Sequence, residues 1–112
     1  MTIIEVIKNK KQFLSLLLLA DEQENMIDRY LERGTMYVLN DNGVKAECVV
    51  TDECNGILEI KNIATVPEYQ GKGYAKALID FIVKEYADKY SVLQVGTGDS
   101  PLTVPSLSLP VI

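Results

Sequence analysis

The sequence predicts an α+β domain: a mixed, mostly antiparallel sheet flanked by helices. Three observations lead there. Three strand-like runs follow one another between Thr35 and Val66 with turn residues between them, the pattern of a meander. A long amphipathic run comes next and an apolar segment returns after it; a strand reached through a helix lies parallel to its predecessor. The length, 112 residues, suits one domain spanning 1–112 with a core that needs no metal or disulfide.

Thr2 to Ile7 alternates and is β-branched, so it is expected as the first strand. Asn9 is the expected cap of a helix running to about Ala20 through "FLSLLLLA". Lys8, Lys10 and Lys11 precede that run as in a secretory signal, but it is too short to span a bilayer, and acidic "ADEQE" replaces a cleavage site. The expectation is a buried first helix in a cytoplasmic protein with no membrane contact. Asp21 or Glu22 opens a second helix through "ENMIDRYLER", which Gly34 stops.

"TMYVLN", the turn "DNG" and "VKAECVVTD" form a hairpin, and "ECNG" makes a second turn. The third strand of the meander, Ile57 to Val66, ends at Pro67, which has no amide hydrogen for a ladder. Along it Leu58, Ile60 and Asn62 should share one face and Glu59, Lys61 and Ile63 the other, so that Glu59 and Lys61 can pair. From Gly73 the apolar positions Ala75, Leu78, Ile79, Ile82, Val83 and Tyr86 recur with helical period. "SVLQVGTG" from Ser91 reads as the parallel strand, and "GDSPLTVPSLSLPVI" as loop.

Composition excludes several functions. A formal net charge of −5 argues against binding nucleic acid, which needs a basic face. The chain contains no histidine, so Ser-His and Cys-His nucleophiles lack their base. Cys48 and Cys54 stand alone, without metal-ligand spacing, and are expected reduced, with Cys48 buried. "GDSPLT" superficially matches a GDSL esterase block, but that chemistry needs a histidine as well.

The stretch "VPEYQGKGYAKALIDF" puts Gly71, Lys72 and Gly73 between a strand end and the start of the strongest helix. Free N–H groups and the dipole there suit phosphate, the glycines allow close approach, and Lys72 adds a charge. Neither the P-loop nor the dinucleotide fingerprint fits, because Lys72 precedes Gly73 and position 76 is lysine. What fits is Q-x-x-G-x-[GA], as Gln70, Gly73 and Ala75. In this setting it resembles the acetyl-CoA pyrophosphate loop of the GNAT family of N-acetyltransferases, from about Thr2 to about Pro105.

The resemblance implies a GNAT-like acyl-CoA N-acyltransferase fold. It implies transfer of the acetyl group from acetyl-CoA, the cosubstrate, to a primary amine of a small molecule or peptide. Cofactor contacts are then expected from Gln70, Gly71, Lys72, Gly73, Tyr74 and Ala75 at the pyrophosphate, and from the main chain of Ala64, Thr65 and Val66 along the pantetheine arm. With histidine absent a carboxylate must take the amine's proton; Glu59 stands eleven positions before Gln70, an offset that resembles the glutamate base of the histone-acetylating GNAT branch, and Glu47 is the other candidate. Family members continue past the last parallel strand into a helix with an acidic tyrosine and two more strands. Those elements are expected to be missing here, no tyrosine inherits the acid role, and the sheet edge after "VLQVG" would favour a homodimer. The alternative is a truncated module that binds CoA without turnover.

Overall fold

A computed structural model describes residues 1–95; the expectations for "GDSPLT" and the loop-like end lie outside them. The strands β1 (Thr2–Val6), β2 (Thr35–Asn40), β3 (Val44–Asp52), β4 (Ile57–Thr65) and β5 (Val92–Val95) form one sheet in chain order. The pairings from β1 to β4 are antiparallel, and β5 joins β4 in parallel. This is the mixed sheet the sequence predicts. The β2 and β3 bounds match the expected runs, because the turn between them has the backbone its residues favour: Asn42 has φ 56° and Gly43 φ 109°.

Helices α1 (Leu14–Ala20) and α2 (Glu24–Asp28) cover one face, and α3 (Tyr74–Tyr86) covers the other. Beneath α3, Leu78 and Ile82 pack on Tyr37, Cys48, Val50, Ile60 and Leu93. On the opposite face Leu17 and Ile27 meet Met36, Val38 and Val49. The apolar α1 run is therefore core, with Leu16 and Leu17 buried. Among the described residues no helix is long and apolar enough to cross a membrane. Cys48 is buried and Cys54 exposed, both as free thiols.

The first two helices depart from expectation. Asn9 adopts a left-handed conformation (φ 53°) and makes no side-chain cap; Lys10–Phe13 is a 3-10 turn, and α1 begins only at Leu14. The second helix opens after Gln23 and ends at Asp28, with turns carrying the chain to Gly34. One side chain connects the two departures. Lys10 buries its ammonium and donates to the carbonyls of Leu31 (2.9 Å) and Gly34 (2.8 Å), groups that a short helix leaves open. Gly34 is required by close approach, since a Cβ there would lie 2.8 Å from the Tyr30 carbonyl oxygen.

A third departure positions the site. Val50 pairs with Ile60 but Val49 with Asn62, so Lys61 is the extra residue of a β-bulge. The bulge reverses the alternation beyond it. Ile60 packs beneath α3, Asn62 instead reaches the α1 side, and Ile63 returns to the α3 side. The expected grouping of Asn62 with Leu58 and Ile60, and of Ile63 with Glu59, is therefore corrected.

Candidate active site

Beyond β4, Pro67–Tyr69 makes a single 3-10 turn, and Gln70 leads through the glycines into α3. Gly71 and Gly73 have φ of 79° and 87°, values a side chain disfavours. Nothing lies within 4 Å of where either would carry a Cβ. The loop thus presents bare backbone to open space. The first bond of α3 runs from the Ala77 N–H to the Gly73 carbonyl at 3.0 Å, which leaves the amides of Tyr74, Ala75 and Lys76 without a backbone acceptor. At the head of a 13-residue helix such amides have the geometry and dipole that suit an anion.

A cavity of about 320 Å³ opens in front of that helix end, lined by Ala64, Thr65, Gln70, Gly71, Gly73, Tyr74 and Ala75 among others. Val66 and Lys72 stand outside its wall. The Val66 N–H donates to the Lys45 carbonyl at 2.8 Å, and the Lys72 ammonium lies 5.7 Å from the Tyr69 ring centre. Lys45 sits over the same ring at 4.0 Å, so Tyr69 holds two cations beside the loop. Gln70 donates to the Thr65 carbonyl at 3.3 Å and Tyr74 to Asp41 at 2.7 Å, bracing the loop from both ends.

Strand geometry decides which β4 main-chain groups are open. Because Val66 bonds Lys45, alternate residues along an antiparallel pair direct Ala64 toward β3 and Ile63 and Thr65 away from it. The described pairing of β4 with β5 reaches only Ile60 and Val95. Among the described residues no strand pairs with the side of Lys61 to Thr65 that faces away from β3.

A larger cavity of about 800 Å³ adjoins the first, and Leu19 and Ile63 line both. Its wall carries Glu59, Lys61 and Asn62 from β4, with Asp21, Arg29 and Tyr30 opposite. Glu59 is held at both oxygens: Gln94 donates to Oε1, and the Lys61 ammonium lies 2.6 Å from Oε2. Lys61 also faces Glu53 at 3.9 Å, and Arg33 approaches Glu53 at 3.3 Å. The Thr51 hydroxyl first, then the nearby Lys61 and Arg33 charges, hold the Glu53 carboxyl below its ordinary range. Glu47 contrasts with Glu59: it is wholly buried, neither carboxylate oxygen has a partner, and desolvation pushes its carboxyl up to about 8.

Comparison with known proteins turns this geometry into a family. The family model of the acetyltransferase (GNAT) domain matches residues 32–103. The chain belongs to the GNAT acetyltransferase family. A Bacillus subtilis relative, the uncharacterized N-acetyltransferase YvbK, is 34% identical over 98 residues, which is 86% of this chain and 63% of that protein. The chain thus spans less than two thirds of that relative. Among solved structures, an IAA acetyltransferase from Bacillus cereus superposes with TM-score 0.76 at 36% identity, covering 88% of this chain and 68% of its own. A GNAT acetyltransferase from Elizabethkingia anophelis, solved with acetyl-CoA bound, gives 0.79 at 32% identity, covering 88% and 66%.

Within this GNAT domain several site residues escape sequence reasoning. Ile63 joins the two cavities, Lys45 comes from β3, and Asn62 and Tyr30 enter the larger cavity. Only the β4 bulge brings Asn62 there, and no local pattern announced it. Tyr30 carried a weak signal, since it is a tyrosine at a position of the second helix where the apolar stripe should continue.

Proposed function

We propose that the protein transfers the acetyl group of acetyl-CoA to a primary amine of a small molecule or peptide. One observation carries this reading: the unpartnered amides of Tyr74, Ala75 and Lys76, fronted by open space at Gly71 and Gly73, face a cavity that continues past Ile63 to a carboxylate. Related proteins solved with acetyl-CoA or CoA support it. In this reading the loop from Gln70 to Ala75 grips the pyrophosphate through its main chain, with Lys45 and Lys72 adding positive charge from beside Tyr69. The pantetheine arm lies along Ala64, Thr65 and Val66, with the Ile63 peptide groups and the Thr65 N–H turned away from β3 toward it. An amide at the bulge polarises the thioester carbonyl as its oxygen gains charge.

The amine enters from the larger cavity. Its nitrogen attacks the carbonyl carbon, the carbon–sulfur bond breaks, and the proton leaving nitrogen passes to Glu59 directly or through one water. The departing thiolate takes a proton from solvent. A base is needed because an alkylamine with a pKa of ~10 is mostly protonated near neutral pH.

A second reading, CoA binding without turnover, is favoured by Glu59 itself, whose two oxygens are both engaged. Calorimetry with CoA and an acetyl-CoA consumption assay over a panel of amines separate the readings. Transfer requires both signals, and binding alone selects the module. A Gly73→Val variant that folds yet binds CoA as tightly as the parent would overturn both.

A further inference from the structure

Among the described residues, three buried side-chain polar atoms lack a hydrogen-bond partner: both carboxylate oxygens of Glu47 and Oδ1 of Asn62. They lie on one face of the sheet. Glu47 pairs with Ala64 and Val49 with Asn62, so Glu47 and Asn62 are diagonal neighbours on adjacent strands, within mutual reach of their side chains. Three acceptors and no donor is a costly grouping in a dry interior. The Asn62 amide is unable to supply the donor. Both its hydrogens are committed, one to the Leu17 carbonyl and one to the Tyr30 hydroxyl, each at 3.0 Å.

We propose that Glu47 is a positioning residue for the larger cavity: its carboxyl keeps its proton, donates it to Asn62 Oδ1, and thereby fixes the amide that holds α1 and Tyr30 in place. The consequence runs to the cavity wall. Leu17 lies in the last turns of α1, which delivers Leu19, Ala20 and Asp21 to that wall, and the Tyr30 hydroxyl donates onward to Asp21 at 3.2 Å. The surroundings favour the protonated form. Val38 on β2 and Ala64 on β4 flank Glu47, and burial raises its carboxyl to about 8. The titratable groups in electrostatic reach are Tyr30, itself raised to about 12 mainly by burial, and Cys48, raised by burial and by Glu47. Neither supplies a positive charge.

Losing the proton would put a carboxylate against Asn62 Oδ1. Turning the amide over would satisfy Glu47, but would point Oδ1 at the Leu17 carbonyl and release α1. The role in acceptor binding rests on the proposed transferase activity, so the test has two arms. In ¹⁵N-labelled protein the side-chain amide signals of Asn62 should titrate with a midpoint near pH 8 in the parent and stay constant in Glu47→Gln, whose own amide donates at every pH. Signals that do not move in the parent overturn the proposal, whether or not any variant folds and whether or not the protein transfers acetyl groups. In the activity arm, the acceptor KM of the parent relative to Glu47→Gln should rise about tenfold between pH 7 and pH 9, the scale of one lost hydrogen bond, with the kcat ratio little changed. Superimposable KM profiles would refute the positioning role.

Discussion

The two faces of the sheet are built from different materials. Beneath α3 the core is mostly apolar, with Leu78, Ile82, Leu58, Ile60 and Leu93 each 2% exposed or less, and the Tyr37 hydroxyl there is satisfied by that of Tyr86 at 2.7 Å. Beneath α1 and α2 the same depth holds Glu47, Asn62 and the Lys10 ammonium, together with the hydroxyl of Tyr30. Buried polar groups contribute little net stability unless fully satisfied, so the difference marks a division of labour. The α3 face holds the fold and the glycine loop, while the opposite face sacrifices stability to shape a cavity.

The largest effect expected from that contrast belongs to Glu47. Its carboxyl titrates near 8 in the fold against an ordinary 4.5, so the native state binds the extra proton between those values. Stability is therefore fully present below about pH 4.5 and is lost as pH rises toward 8, by about 1.4 kcal/mol per pH unit. Glu47→Gln removes this dependence. Urea midpoints should show the variant gaining on the parent by roughly 4 kcal/mol between pH 4 and pH 9, and parallel curves would mean that the carboxyl is not buried as described. Next in size is Leu78→Ala on the dry face, expected to cost about 3 kcal/mol at every pH through lost burial and a residual cavity. A pH-dependent loss there would blur the distinction between the faces. Asn62→Ala is intermediate, at about 1–2 kcal/mol; its cost should persist in a Glu47→Gln background, whose amide keeps the shared hydrogen bond, and shrink in a Glu47→Leu background, which removes it.

How far the sequence carried depended on whether each signal was local. The hairpin of β2 and β3 was legible because Asn42, Gly43 and the apolar, strand-favouring runs on either side of them all act within a few residues. The α3 helix was equally plain from its apolar stripe, and on its exposed face Lys76 and Asp80, one turn apart, pair at 2.9 Å. The turn before α3 was legible because glycines at left-handed positions are a local demand. What escaped is non-local. The carbonyls of the turns after α2 are met by Lys10, more than twenty residues away in the chain. The bulge at Lys61 is a matter of register against β3, and it decided which face Asn62 joined. Glu47 gave no sign of burial, since a charged residue between Ala46 and Cys48 reads equally well as the solvated side of a strand. The pairing of Glu59 with Lys61 was foreseen, and it holds even though the bulge overturns the alternation from which it was argued.

The smallest expected change in stability is the one most informative about function. Gly73→Ala adds a methyl group that meets nothing within 4 Å, so its cost is conformational: φ is +87°, and a side chain in that region costs about 1 kcal/mol or slightly more. Gly73 nevertheless lines the cavity before the Tyr74, Ala75 and Lys76 amides, where the proposed diphosphate would come close. Calorimetry should therefore show CoA affinity falling at least tenfold in a protein whose melting temperature drops only a few degrees. The control is Gly43→Ala, whose φ of +109° carries similar strain in the hairpin turn, with only the Lys45 ammonium near the new carbon, at 3.7 Å. It should lose comparable stability and keep its CoA affinity. If both variants weaken CoA alike, the glycine loop holds the chain in shape and the diphosphate is gripped elsewhere.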